Sequence, residues 1–293
     1  MTEPWTIGRV LAWARDDLKG RGSASPRLDA ELMLAQILEC DRIKLITDSG
    51  RPLQDSELAA YRQLHKRRRR GEPVAYLRGF REFFGRSFRV DTRVLVPRPE
   101  TEILVEVALK RSRRVSLCAR ILDVCTGSGC VAITLAKERP TTRVTGSDIS
   151  SEALEIARDN MHRLGGRVSF VRSDLVEAFA GRRDRFDLVT ANPPYINDED
   201  MTKLPVDIRD FEPAVALSAG PDGLRLIRRL IAEVPAVLAA AGVLAMEIGA
   251  GQAEQVRTLF EAGGFTDIET SLDYQGHERI VSAKLDAQGR GTE

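Results

Sequence analysis

The sequence predicts an α/β protein with a doubly wound, mostly parallel sheet, preceded by a small all-helical domain. From residue 120 onward, apolar runs of strand length alternate with amphipathic helical segments, which is typical of repeated βα units. Before residue 75, apolar residues instead recur at helical spacing, as they do from Ile7 to Leu18. The two patterns together indicate two regions of different architecture.

Bulk properties exclude several classes of protein. The chain has 293 residues, 43% of them hydrophobic and 30% charged, with a net charge of +1. Because the charge is balanced, direct nucleic-acid binding is not expected. No apolar run reaches membrane-spanning length, and the early acids Glu3, Asp16 and Asp17 are unlike a transit peptide. We expect a monomeric cytoplasmic protein that does not associate with membranes.

Metal and disulfide sites are not predicted. The cysteines, Cys40, Cys118, Cys125 and Cys130, have neither metal-ligand nor disulfide spacing, so we expect reduced thiols. The histidines are scattered along the chain and form no cluster of ligands.

The pattern divides the chain into four parts. Residues 1–75 are expected to form a helical bundle, in which Ser25 caps a helix that has Pro26 in its first turn. Residues 76–96 combine phenylalanines with glycines and predict a β-hairpin connector. Residues 97–285 form the α/β domain, and residues 286–293 a flexible tail.

Within the α/β domain, the strands are expected at residues 121–125, 143–147, 168–172, 186–191, 242–248, 265–272 and 279–284. A long helix from Leu224 to Leu238, kinked at Pro235, is expected before the fifth strand.

Two charged segments each allow two interpretations. Lys66–Arg70 is expected to be a solvated last turn of a helix, in preference to a direct contact with nucleic acid or ribosome. Val96-Pro97-Arg98-Pro99-Glu100-Thr101-Glu102 is a rigid helix start or, as a functional alternative, a wall of the ligand site.

A glycine turn, Thr126-Gly127-Ser128-Gly129, follows the first predicted strand and opens a helix. With Ala132 it fits a dinucleotide-binding fingerprint, so a nicotinamide dehydrogenase has to be considered. Asp123 argues against that alternative, because a diphosphate at a helix N-terminus is not favoured beside a carboxylate. A cationic ammonium or sulfonium is favoured there, and S-adenosylmethionine carries both.

The carboxyl ends of three predicted strands supply the acids for this cofactor. We assign Asp123 to the ammonium, Asp148 to the ribose hydroxyls and Asp174 to the adenine amine. Gly127 and Gly129 would let the cofactor approach the backbone closely.

The fourth strand ends in Asn192-Pro193-Pro194-Tyr195, which we call the proline corner. Neither proline can donate to a sheet, so the strand stops in a stiff bend. The Asn192 side-chain oxygen and the Pro193 carbonyl can each accept one hydrogen of a planar NH2 group, and the Tyr195 ring can stack on it. This arrangement predicts methyl transfer to an amide or amine nitrogen that is held by orientation and electrostatics. No histidine or lysine stands beside the corner, so we expect the proton to leave to solvent.

These motifs resemble class I S-adenosylmethionine methyltransferases that modify a planar nitrogen, with a Rossmann-like methyltransferase sheet. Further stretches narrow the likeness to the bacterial peptide chain release factor glutamine methyltransferases (HemK/PrmC). They are Glu72-Pro73-Val74-Ala75-Tyr76-Leu77, the segment Val96–Glu102, Glu212-Pro213 and Leu217-Ser218-Ala219-Gly220-Pro221-Asp222-Gly223-Leu224. The likeness covers nearly the whole chain.

The resemblance implies methylation of the glutamine in the Gly-Gly-Gln loop of class 1 peptide chain release factors, which the helical bundle would help to dock. It implies catalytic roles for Asn192, Pro193, Pro194 and Tyr195. The implied cofactor-binding residues are Asp123, Cys125, Thr126, Gly127, Ser128, Gly129, Asp148, Ile149, Asp174, Leu175 and Asn192.

Two residues depart from the family pattern. Cys125 stands where the family usually has glycine at the start of the turn, and Leu175 stands where an aromatic residue often lies on the adenine. We expect both to be tolerated, with weaker stacking on the base at Leu175.

Three other functions remain open from the residues. A glutamine methyltransferase of a ribosomal protein would share the proline corner. A DNA adenine methyltransferase would also share it but would need a basic cleft and a target-recognition region. A non-enzymatic module that binds a release factor or the ribosome would leave the acids and the corner without a role.

Overall fold

A computed structural model of the protein describes residues 4–113, 117–182 and 185–286. Apart from Asp286, the predicted tail lies outside these residues. The chain forms two compact units: Met1–Phe80 with Pro205–Phe211, and Arg81–Leu204 with Glu212–Glu293. A short segment from the second half of the sequence therefore belongs to the first unit.

The α-helices, in chain order, are α1 Ile7–Gly20, α2 Pro26–Ile37, α3 Arg42–Thr47, α4 Asp55–Arg68, α5 Val74–Arg78, α6 Pro99–Arg113, α7 Cys130–Glu138, α8 Ser151–Leu164, α9 Asp198–Met201, α10 Val206–Arg209, α11 Arg225–Glu233 and α12 Ala253–Ala262.

The strands are β1 Phe80–Phe83, β2 Arg86–Arg89, β3 Arg120–Val124, β4 Arg143–Asp148, β5 Val168–Arg172, β6 Phe186–Ala191, β7 Leu238–Glu247, β8 Phe265–Leu272 and β9 Glu278–Leu285. The first two form a two-stranded sheet, and the other strands form a seven-stranded sheet in the order β5-β4-β3-β6-β7-β9-β8.

The seven-stranded sheet confirms the predicted fold class. Strands β5, β4, β3, β6 and β7 are parallel, whereas β9 runs antiparallel to both β7 and β8. Buried apolar clusters contain side chains of α6 and α7 in one case and of α11 and α12 in the other. Helices therefore cover both faces of the sheet, which is why its central strands are continuous apolar runs.

The first unit is helical, as the spacing predicted. Its core contains Val10, Leu34 and Tyr61 from α1, α2 and α4. The basic run at the end of α4 is only partly solvated. Arg68 Nε donates to Asp29 Oδ2 at 2.8 Å, and only 10% and 11% of the two side chains are exposed. Arg68 thus stabilises the buried charge of Asp29. The sequence predicts a solvated side chain at this position, and for Arg68 that prediction is wrong.

The helix predicted through Pro235 is wrong beyond Glu233. Helix α11 ends there, a 3-10 turn covers Val234–Ala236, and β7 already begins at Leu238. Proline has no N–H for the helical ladder and its ring clashes with the preceding turn. The apolar residues on both sides of Pro235 hid this change from helix to strand, because a buried strand and a buried helix look alike over a short run.

The hairpin of β1 and β2 is joined by two residues, Phe84 and Gly85. Both have positive φ, 49° and 68°, which is typical of the tight turns that match the twist of hairpin strands. The backbone N–H of Phe84 donates to Glu102 Oε1 at 2.8 Å. This bond ties the turn to the first turn of α6 and holds the start of that helix in position.

Candidate active site

The carboxyl ends of the parallel strands border a cavity of about 360 Å³ in the second unit. Register explains why distant motifs meet there, since Val124 of β3 pairs with Ser147 of β4 and with Ala191 of β6. The residues that follow these pairs emerge at one edge of the sheet. The predicted site residues that line the cavity are Asp123, Cys125, Thr126, Gly127, Ser128, Asp148, Ile149, Asp174, Leu175, Asn192 and Pro194.

The two glycines of the glycine turn differ in their surroundings. Gly127 has φ +53°, and a Cβ placed on it would meet no atom within 4 Å. Gly129 has φ +79°, but its Cβ would lie 3.0 Å from Ile133 Cδ1 and 3.1 Å from Ala157 Cβ. Gly127 therefore leaves open space, whereas Gly129 permits close packing of α7 on α8. Gly129 does not line the cavity.

Asp123 is the most deeply buried of the predicted acids, with 2% of its surface exposed. The hydroxyls of Thr126 and Thr190 donate to its carboxylate at 2.6 and 2.8 Å. Burial raises the pKa of Asp123 to about 6, although these bonds and the Ala132 amide oppose the shift. Because these donors are neutral, the carboxylate retains a charge that a cation can balance.

The other two acids lie at the ends of β4 and β5. Asp148 accepts from the backbone N–H of Gly127 and of Ser150, both at 2.9 Å, and burial raises the pKa of Asp148. Asp174 is held by Arg229, whose Nη1 lies 3.1 Å from Asp174 Oδ1. Beside Asp148, the side chain of Ile149 is 48% exposed although it is apolar. The cavity therefore combines acidic groups with an uncovered apolar face.

The two departures from the family pattern both adopt left-handed backbone. Cys125 has φ +57° and Leu175 has φ +45°. This conformation favours glycine, because a Cβ crowds the following carbonyl. Burial raises the pKa of the Cys125 thiol well above its usual value, so the side chain behaves as a small apolar group. Leu175 is 5% exposed and belongs to the core as well as to the cavity wall.

The proline corner is only partly in the cavity wall. Asn192 and Pro194 line it, whereas Pro193 and Tyr195 are not among the lining residues of the described chain. The Tyr195 hydroxyl donates to Glu247 Oε1 at 3.3 Å, and its ring packs against the core. Ring stacking by Tyr195 on a bound amide remains a prediction.

A buried network behind Asn192 was missed by the sequence analysis. Asn192 Nδ2 donates to Thr101 Oγ1 at 3.2 Å, and the Thr101 hydroxyl donates to Glu247 Oε2 at 2.7 Å. Thr101 belongs to the segment Val96–Glu102, for which a wall of the ligand site is one of the two interpretations, and it does line the cavity. Glu247 could have been noticed, because it is a single acid in the apolar run that forms β7.

Glu247 is 1% exposed, and burial raises its pKa from 4.5 to about 7. Because the folded pKa is the higher one, the stability from this group is present at low pH and lost as the pH rises through about 7. We expect Glu247→Gln to exceed the wild type in stability by on the order of 2 kcal/mol near about pH 8.5, with a smaller difference near about pH 5. Chemical denaturation at both values measures this, and a difference that does not change with pH would contradict it.

Further lining residues come from segments to which no role was assigned. The cavity wall includes Arg93, Arg225, Arg229 and the segment 213–216. Glu212, next to that segment, is 6% exposed. Arg98 Nη2 donates to Glu212 Oε1 at 2.7 Å and to Glu212 Oε2 at 2.8 Å. This ion pair connects the loop after Phe211 to the start of α6. It therefore holds two lining segments of the cavity, Pro97 and residues 213–216, next to each other.

The described residues lack two other kinds of feature. They contain no group of three or more His, Cys, Asp or Glu side chains arranged to hold a metal ion. None of their helices has the length and apolar character needed to cross a membrane.

Comparison with known proteins supplies the family. The family model for the PrmC N-terminal domain matches residues 9–79, and the model for the methyltransferase small domain matches residues 99–208. A release factor glutamine methyltransferase of Rhodopirellula baltica is 43% identical over 285 residues, covering 95% of this chain and 96% of that protein. A protein of the same name from Geobacter sulfurreducens is 40% identical and covers 97% of this chain and 98% of its own length.

Solved structures agree on the fold. A methyltransferase from Pyrococcus furiosus superposes with a TM-score of 0.52 at 17% identity, covering 70% of this chain and 91% of that protein. A 16S rRNA methyltransferase from T. thermophilus gives a TM-score of 0.50 at 17% identity and covers 70% and 49% of the two chains. From the near-full-length sequence matches, we conclude that this chain belongs to the release factor glutamine methyltransferase family.

Proposed function

We propose that the protein transfers a methyl group from S-adenosylmethionine to the side-chain amide nitrogen of a glutamine, that of the Gly-Gly-Gln motif in class 1 peptide chain release factors. The observation that carries the proposal is that one cavity contains both the glycine turn with its acids and Asn192 of the proline corner. Relatives that match along nearly the whole chain are named release factor glutamine methyltransferases, which supports a release factor glutamine as the substrate.

The residues present suit this cofactor. Asp123 is a buried carboxylate whose donors are neutral, and it would hold the ammonium of the methionine part. Asp148 would accept from the ribose hydroxyls, and Ile149 and Leu175 would face the adenine, with Asp174 at its amine. Gly127 adds open space where the backbone can approach the ligand. No metal takes part in this proposal.

When bound, the cofactor supplies an electrophilic methyl carbon: a C–N bond forms as the C–S bond breaks, S-adenosylhomocysteine leaves, and the amide nitrogen gives up one proton. The chain contributes orientation. The Asn192 side-chain oxygen and the Pro193 carbonyl would accept the two amide hydrogens and hold the nitrogen in one position. The proton would pass to solvent, because Glu247 does not line the cavity and is engaged with Thr101 and Tyr195.

The glycine turn yields a paired prediction. We expect Gly127→Ala to weaken binding of S-adenosylmethionine about 10-fold or more, because its methyl group would occupy the open space, and to cost about 1 kcal/mol in stability. Gly129→Ala should cost more, about 2–3 kcal/mol, because its methyl group must displace Ile133 or Ala157. Calorimetric binding and thermal unfolding of both variants test this. The opposite ranking of the two effects would contradict the assignment.

The partner is proposed on the same basis. A class 1 release factor would present its glutamine at the cavity, and the helical first unit, which matches the PrmC N-terminal domain, would contribute to docking. The protein would act as a monomer in the cytoplasm.

The direct test is incubation of the protein with labelled S-adenosylmethionine and a purified class 1 release factor, followed by mass mapping of the modified residue. The expected result is one methyl group on the glutamine of the Gly-Gly-Gln motif. A release factor in which that glutamine is changed to alanine is the control and should take up no label. Label on a purified ribosomal protein or an oligonucleotide, with none on the release factor, would replace the proposed substrate.

A further inference from the structure

The network behind the proline corner has a fixed direction of hydrogen bonding. A carboxylate only accepts hydrogen bonds, so with Glu247 ionised the Thr101 hydroxyl places its hydrogen on Glu247 Oε2, 2.7 Å away. The lone pairs of Thr101 Oγ1 then face Asn192. The NH2 group of Asn192, and not its oxygen, lies against Thr101 at 3.2 Å.

We propose that Glu247, acting through the Thr101 hydroxyl, is the positioning residue that holds the Asn192 amide with its oxygen directed to the substrate nitrogen. The inference rests on the proposed function, because it takes Asn192 as the acceptor for the substrate NH2 group. An amide can turn over and exchange its oxygen with its NH2 group at little steric cost. Turned over, Asn192 would present donors to a substrate that is itself a donor.

Strand register places Asn192 beside Glu247, and helix α6 adds Thr101. In the parallel pair of β6 and β7, Ala191 lies opposite Met246. Asn192 directly follows the end of β6 and Glu247 is the last residue of β7, so the corner and the carboxylate lie side by side. Thr101 comes from the first turn of α6, whose start is held by the Glu102 bond to Phe84. The Tyr195 hydroxyl donates to the other oxygen of Glu247 at 3.3 Å and leaves the carboxylate bonded on both sides.

The charge on Glu247 sets this direction. Burial raises its pKa to about 7, and the negative charge of Glu100 on α6 adds to the shift, whereas the hydrogen bonds from Thr101 and Tyr195 and the positive charge of Arg279 on β9 oppose it. Once protonated, Glu247 becomes a donor and can turn the Thr101 hydrogen toward Asn192. Activity should therefore decline as the pH falls through the region of this pKa.

The test uses steady-state transfer of labelled methyl from S-adenosylmethionine to a purified class 1 release factor. Thr101→Val keeps the branched shape and removes the hydroxyl. We expect it to lower kcat about 30-fold, through misplacement of the substrate nitrogen, and to change KM for S-adenosylmethionine by less than about 3-fold. Thr101→Ser restores the hydroxyl and should return kcat to within about 3-fold of the wild type.

The matched control is Thr134→Val in α7. Thr134 is also buried, but its hydroxyl has no hydrogen-bond partner among the described residues. The same chemical change should leave kcat and its pH dependence as in the wild type. A loss of activity in this variant equal to that in Thr101→Val would assign the effect to the core and overturn the inference.

A pH profile separates positioning from a purely structural role. Wild-type kcat should fall on the acid side of about pH 7, and Glu247→Gln should lower kcat and remove that limb. Glutamine at position 247 cannot ionise, so the loss of the acid limb in Glu247→Gln tests the inference even if Thr101→Val folds poorly. An acid limb unchanged in Glu247→Gln, or wild-type kcat in folded Thr101→Val, would overturn the inference.

The same assay keeps the two proposals apart. If the wild type transfers no methyl to the release factor, the proposed function fails and the inference falls with it. If the wild type is active and the variants behave like it, the function stands and the inference alone fails.

Discussion

Asn192→Ala is expected to lower kcat for methyl transfer to a release factor about 1,000-fold. The variant loses the acceptor that would hold the substrate nitrogen in line with the methyl donor, and removal of one oriented polar group at a reacting centre typically has this effect. Binding of S-adenosylmethionine should change by less than about 3-fold, because most of the proposed contacts to the cofactor lie on other strands. Rapid-quench kinetics with labelled cofactor and calorimetric binding measure the two quantities.

Asn197→Ala is the matched control for this prediction. Asn197 caps the short helix α9, where its Oδ1 accepts from the N–H of Asp200 at 2.7 Å, and it does not line the cavity. Its loss should cost about 1 kcal/mol in stability and leave kcat unchanged. If Asn192→Ala kept kcat within about 10-fold of the wild type, the proline corner would not be the group that holds the substrate nitrogen.

The second large effect is expected on cofactor affinity. Asp123→Asn should raise the Kd for S-adenosylmethionine about 30- to 100-fold, the size of a lost hydrogen bond between charged groups. The fold should survive, because the amide oxygen can still accept from Thr126 or Thr190 and a buried charge is removed. Isothermal calorimetry of both proteins measures the change in Kd.

The affinity for S-adenosylmethionine should also depend on pH, in a direction set by the pKa of Asp123. The pKa of Asp123 is raised to about 6, so the carboxylate is charged above that value and becomes neutral below it. Affinity for a cationic ligand should therefore be present at neutral pH and fall as the pH drops through about 6, in the wild type but not in Asp123→Asn. Equal pH dependence in the two proteins would remove Asp123 from the cation site.

Asp187→Asn is the control for Asp123→Asn. Asp187 lies on β6, adjacent to β3, but its carboxylate accepts from the backbone N–H of Arg120 at 2.7 Å, and it does not line the cavity. Cofactor affinity and its pH dependence should stay as in the wild type. A similar loss of affinity would point to a general effect of the sheet's charge and not to a contact at Asp123.

Several elements were predictable because their causes are local. The bounds of β5, β6 and β8 match the sequence expectation, since each strand contains apolar and β-branched residues and is followed by a residue typical of turns, Ser173, Asn192 or Asp273. Helix α1 ends at Gly20, a residue type that favours the end of a helix. The helices α3 and α5 were not predicted, because segments of 6 and 5 residues give too little periodicity to recognise.

The candidate site divides in the same way. The sequence predicted that most of the glycine turn, the three acids and Asn192 would border one cavity, because each lies at or just after the end of a strand and carboxyl ends of parallel strands share one edge of a sheet. That Asn192 and Pro194 line the cavity while Pro193 and Tyr195 are not among its lining residues could not be read from the motif, because side-chain direction in a bend depends on the surrounding packing. The different surroundings of Gly127 and Gly129 likewise depend on where α8 packs.

The sequence by itself determined the α/β class, the helical first region and the residue types available at the site. These follow from periodicity and from the chemistry of short motifs, which act within about ten residues. Only the tertiary structure decided that Thr101, Asn192 and Glu247 form one network, and that residues 205–211 belong to the first unit. The physical reason is that strand register and helix packing join segments far apart in the chain, and no local pattern encodes which buried acid will meet which hydroxyl.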